Sequence, residues 1–111
     1  MKWIALCPIV FLLSGPAQAT GYYHRADALD QLRLAYDRND PEAKAAYFRG
    51  YVVGVADGAH GTAWCPPGNV SAERIQGVVS TYMKQHPATS EQYAAAVVTA
   101  ALGASFPCQG K

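Results

Sequence analysis

Phe48-Arg49-Gly50-Tyr51-Val52-Val53-Gly54-Val55-Ala56-Asp57-Gly58, followed by Trp64-Cys65-Pro66-Pro67-Gly68, is the stretch whose reading decides the fold. Asp40-Pro41 opens it, a side-chain cap followed by a proline suited to the first helical position. At 3.6 residues per turn, Phe48, Val52, Val55 and Ala59 line one face, the spacing of a buried stripe. Gly50, Gly54 and Gly58 recur every fourth residue on the far side. Glu42, Arg49, Asp57 and His60 are left for water between them. Each glycine costs about 1 kcal/mol against alanine inside a helix, so three in register need a compensating contact. A flat strip that admits a neighbouring backbone supplies one, as small-xxx-small strips do elsewhere. Arg49 and Asp57 interrupt the run, which is also too short to span a membrane. The expectation is a central helix packed on two opposed faces.

Upstream, Lys2, the apolar run 3–13, Ser14-Gly15-Pro16 and Ala17-Gln18-Ala19 have the three parts of a secretory signal peptide. Cys7 lies inside the apolar run with no lipobox before it. Cleavage is expected after Ala19, which makes residues 1–19 the signal and 20–111 a single exported, periplasmic domain. Loss of Lys2 removes one of nine basic residues and balances the eight acidic ones. That neutrality gives no support for nucleic-acid binding or for attraction to an anionic membrane once the signal is gone. Between the signal and Asp40, Leu29, Leu32 and Tyr36 define a modest helix over residues 22–38. Asp30, Arg33 and Asp37 are spaced for weak ion pairs and read as its solvated face.

Downstream, Gly61 and Pro66-Pro67-Gly68-Asn69 forbid regular structure and make a firm loop around Cys65. Ser71 caps a third helix, with Val70 and Ile75 placed as a hydrophobic staple. Ile75, Val78, Val79, Tyr82 and Met83 face one way; Glu73, Gly77, Ser80, Thr81 and Lys84 face the other. Pro87 ends this helix at His86. Thr89 opens a fourth helix with Gln92 at the capping-box position, and its body is almost wholly alanine, valine and leucine. That small-sided helix is the expected partner of the glycine strip. No segment alternates as a strand does, so the fold class is all-α, a small bundle of about four helices.

Cys7 leaves with the signal, and the pair Cys65 and Cys108 reads as a disulfide in an exported small domain, against a metal site or free thiols. Two cysteines without a nearby histidine pair make a poor zinc site. Closing about 44 residues, the bond contributes roughly 4 kcal/mol in the chain-entropy account. His24, His60 and His86 are the only histidines. His60 and Asp57 are spaced for an acid–base pair, but no nucleophile set or carboxylate pair accompanies them. An exposed surface pair is the plainer account. No catalytic residue, metal site or cofactor is expected, and the chain reads as no enzyme.

The opening stretch, then His86-Pro87, Ala100-Ala101-Leu102 and Phe106-Pro107-Cys108, resembles the Rap/Tai family, immunity proteins against type VI secretion amidase effectors. The likeness covers about residues 44–108 and none of the segment before Asp40. It implies a small all-α periplasmic protein with Cys65 and Cys108 joined. It further implies a protein partner, a peptidoglycan amidase toxin whose cleft is blocked, and a possible homodimer. A periplasmic helical binding or chaperone module of unknown ligand is the alternative on the same scaffold, and an envelope-assembly partner is a third. The residues that touch a toxin are not among the matched motifs. A cleft blocker needs a rigid projection, since ordering a loose loop consumes affinity. Of two rigid loops, 61–69 reads as internal stapling with Trp64 over the core. The turn at His86-Pro87 reads as the partner-binding tip, carried by Lys84, Gln85, His86 and Thr89.

Overall fold

The computed structural model describes Gly21 and residues 24–109, so the expected signal segment lies outside the described residues. The chain runs α1 (Ala26–Asp37), α2 (Ala43–Ala59), α3 (Ala72–Gln85), a 3-10 turn (Pro87–Glu91) and α4 (Ala94–Ser105). Among the described residues there is no strand; Arg25 with Tyr93 and His60 with Trp64 form isolated bridges only. The all-α bundle of four helices is as expected.

Helix boundaries follow local chemistry. Ser71 caps α3 by accepting the Arg74 amide at 3.1 Å. At α2 the expected start moves by two residues. Asp40 accepts the Glu42 amide at 3.0 Å, and this side-chain turn carries the chain past Pro41 before the helix begins at Ala43. The fourth helix also begins later than Thr89 implied. Residues after Pro87 close a separate 3-10 turn, and Tyr93 is the N-cap of α4.

The core gathers Leu29 of α1, Phe48, Val52 and Ala56 of α2, Val79 of α3, and Val97, Val98 and Leu102 of α4. Helix α2 packs against the other three, which makes it central. All three approach it from one side. Gly50, Gly54 and Gly58 are exposed, and a Cβ built on any of them meets nothing within 4 Å. The glycine strip is therefore not the seat of α4, contrary to expectation. The buried stripe runs through Ala45, Phe48, Val52, Ala56 and Ala59, and Val55 is only half-buried. That stripe is wide enough for three neighbours, which leaves the far face bare.

Among the helical glycines it is Gly103 that admits a close neighbour: a Cβ there would lie 2.8 Å from the carbonyl oxygen of Ala63. Here the loop after α2 is pressed onto the end of α4. Cys65 and Cys108 are joined there, with Cα atoms 4.7 Å apart and a sequence separation of 43. The Cys65 amide donates to the Phe106 carbonyl at 2.9 Å. Trp64 is buried, and its Nε1 donates to the Ala56 carbonyl at 2.8 Å, so the loop folds over the core as anticipated.

Two measurements check this arrangement. Gly54→Ala should raise stability by up to about 1 kcal/mol, because only helix propensity changes. Gly103→Ala should lower it, since overpacking against a backbone oxygen costs roughly 1–3 kcal/mol. Equal signs in paired denaturant titrations would contradict the assignment of the two faces. Cys65→Ser should cost about 4 kcal/mol by the loop-entropy relation, seen as a large drop in melting temperature. An unchanged melting curve under reducing conditions would show that the joint does not depend on the bond.

Candidate functional site

Pro87 removes an amide donor and forces His86 out of helical geometry, to φ −129° and ψ 62°, so α3 stops at Gln85. His86 then folds back on the helix it ends. Its Nδ1 sits 2.8 Å from the Tyr82 carbonyl, and the two rings stack at 4.0 Å and 20°. A carbonyl only accepts, so Nδ1 is the donor of this bond. Thr89 closes the turn, donating from Oγ1 to the His86 carbonyl at 2.7 Å and from its amide at 3.0 Å.

The far end of the turn is held by the segment ahead of α1. Ala26 donates to the Gln92 carbonyl at 2.7 Å, and Ala94 donates to the His24 carbonyl at 2.8 Å. Arg25 donates through Nη2 to the Glu91 carbonyl, and its guanidinium lies 5.7 Å from the centre of the Tyr93 ring. The turn is thus fixed at both ends. Periodicity shows none of this front clamp, because the contacts are backbone ones made by an irregular segment.

A cavity of about 230 Å³ opens beneath the turn. Of the four residues singled out from the sequence, Lys84, His86 and Thr89 line it together. Gln85 does not; it lines an open groove on the other side of His86, with Arg74, Thr81 and Tyr82. His86 is the ridge between the two concavities. Ala26 and Met83 form apolar wall, and Asp30, Arg33 and Ser90 complete the polar lining.

Arg33 is the residue that sequence reasoning misplaced. Expected on the solvated face of α1, it is 6 % exposed. Its Nε donates to Asp30 at 2.6 Å and its Nη1 to Asp37 at 2.6 Å. Asp37 in turn accepts from the Ser80 hydroxyl at 2.7 Å and lies 3.7 Å from Lys84 Nζ. Ser80 is buried as well, not on the outer face of α3. The signal was available: Arg33 follows Leu29 by four residues and precedes Tyr36 by three, which places it within the apolar stripe. Paired carboxylates on either side are what let a guanidinium sit there.

Elsewhere the candidates thin out. No hydrogen bond joins His60 to Asp57 among the described residues; His60 instead packs edge-on against Trp64 at 5.7 Å. His24 meets the Tyr47 hydroxyl at 2.7 Å, beside Tyr51, whose phenol is pushed up by burial first and by the neighbouring Tyr47 second. Among the described residues no group of three histidine, cysteine or acidic side chains is placed to hold a metal, and no helix is long and apolar enough to cross a membrane. The chemistry of the site is that of a rigid polar rim over a partly apolar hollow, which is suited to binding.

No curated protein matches the chain. A sequence model of the Rap1a immunity proteins matches residues 25–108, from the front clamp to the second cysteine of the disulfide. The matched span contains all four helices, the joint at Cys65 and the turn over the cavity. On that extent, the chain belongs to the Rap1a immunity protein family.

Proposed function

We propose that this protein is a periplasmic immunity protein that binds a type VI secretion peptidoglycan amidase and blocks its cleft, with no catalysis of its own. Membership of an immunity family carries the reading, since it makes a toxin effector the partner class. The site supports the manner of binding. A turn fixed by the Thr89–His86 and Ala26–Gln92 hydrogen bonds loses little freedom on docking, so contact energy goes into affinity. Its exposed polar tips, Lys84, Gln85 and His86, suit a cleft lined with polar catalytic groups.

The double change Lys84→Glu with His86→Ala tests the turn. Lys84 is half-exposed and its contact to Asp37 is long, so that ion pair is worth under about 1 kcal/mol. The melting temperature should therefore stay close to the parent value. Affinity for the cognate amidase should fall by about tenfold or more, which corresponds to about 1.4 kcal/mol. Full protection of cells from that amidase by the double variant would move the contact elsewhere on the surface. Failure of the parent protein to bind any amidase effector encoded beside it would reject the amidase reading itself.

A further inference from the structure

The 3-10 turn Pro87–Glu91 buries none of its own residues, so no side chain of it is anchored in the core. A segment with so few buried contacts opens at low cost unless hydrogen bonds restrain it. At the α3 end the restraint is internal, from Thr89 to the His86 carbonyl. At the α4 end it comes from the chain ahead of α1, and among the described residues there Arg25 is the side chain that reaches the turn. Arg25 donates through Nη2 to the carbonyl of Glu91, the last residue of the turn, and its guanidinium lies 5.7 Å from the Tyr93 ring centre. A guanidinium stays charged, and its bond to a carbonyl is stronger than one from a neutral donor. Arg25 is also the N-cap of α1, yet its side chain makes no capping bond there. It is committed to the turn, not to its own helix.

The chain that carries Arg25 is itself fitted to its track. Gly21 lies against Tyr93, where a Cβ would come within 2.7 Å of the Tyr93 Cβ, and its φ of +98° is one that glycine tolerates. His24 fastens the same segment to α2. Its Nε2 sits 2.7 Å from the Tyr47 hydroxyl, and its ring stands edge-on to Tyr51 at 5.3 Å. Backbone bonds on either side of Arg25, from Ala94 to the His24 carbonyl and from Ala26 to the Gln92 carbonyl, fix where its side chain starts. The guanidinium is thus delivered to Glu91 from a backbone that is already held.

We propose that Arg25 is a positioning residue for the partner-facing turn. It holds Glu91, and through Glu91 the tip at His86 and Thr89, in the shape that the toxin meets. The inference rests on the turn being the toxin-binding element and adds a residue that sets affinity from outside the contact. A turn already ordered by Arg25 has little freedom left to lose on docking.

The test compares the full mature chain with Arg25→Met, Arg25→Lys and Gly21→Ala, by ¹⁵N relaxation of the free protein and by calorimetric titration with the cognate amidase. Arg25→Met keeps an unbranched stem beside Tyr93 and loses the donor. Backbone order parameters at Thr89, Ser90 and Glu91 should fall from about 0.85 toward about 0.6, with Val79 and Leu102 unchanged. Arg25→Lys restores a charged donor and should recover most of that order. Gly21→Ala lifts the segment off Tyr93 without altering a group that bonds to the turn, and should loosen the same three amides. Amidase affinity should fall about tenfold in Arg25→Met and in Gly21→Ala, and return toward the parent value in Arg25→Lys. An ordered turn in Arg25→Met or in Gly21→Ala overturns the proposal, and lost affinity with an ordered turn makes Arg25 a direct contact. Equal loss of order at Val79 and Leu102 overturns it as well, since Arg25 would then support the whole bundle. A loosened turn that binds the amidase as tightly as the parent also overturns it. If the parent binds no amidase while both variants loosen the turn, the amidase reading falls and the positioning role stands.

Discussion

The joint between the loop after α2 and the end of α4 is what the other contacts lean on. Helix α4 buries only alanines, valines and one leucine, and each such side chain removes little apolar surface from water. A small domain with so modest a core gains much from a restraint on its unfolded chain. The Cys65–Cys108 bond provides it, and the geometry around the bond is built to receive it. The Ala63 carbonyl fits over Gly103 because no side chain is there, and Trp64 reaches from the same loop into the core to meet Phe106 at 5.8 Å. Arg74 of α3 lies 5.7 Å from the Phe106 ring, so three helices converge on one loop.

The opposite side of the bundle is held differently. There α1 meets α3 through Arg33, Asp37 and Ser80, a chain of charged and polar groups in place of apolar packing. Such a network is costly to break from one end, because the partner left behind is a buried charge. It also fixes direction more sharply than apolar contact does, since each bond has a preferred angle. The cavity wall inherits that precision. The residues that shape the candidate site are thus the same ones that set how α1 lies on α3.

Much of this was legible in the chain itself. The cap at Ser71, the stop at Pro87 and the pairing of the two cysteines are local or numerical signals, and each was read correctly. The turn residues Lys84, His86 and Thr89 were also marked from sequence, although their shared cavity was not. The glycine strip failed because a helix wheel shows which residues share a face but not whether anything covers it. Small residues fit a close contact and an empty edge equally well. Arg33 failed for the opposite reason: its charge argued for water, while its position in the stripe argued for the core. The front clamp left no trace at all, since backbone amides carry no sequence label.

That clamp ties the turn to the front of the chain at a place separate from the cysteine joint. The bonds from Ala26 to Gln92 and from Ala94 to His24 cross from the first described segment to the last helix, yet neither touches the cysteine joint. If the front segment peels away, the turn over the cavity is released while the Cys65–Cys108 bond stays as it is. Amide exchange at the turn would then report this local unzipping, with a free energy below that of global unfolding. The rigidity of the turn is thus set from the segment just ahead of α1.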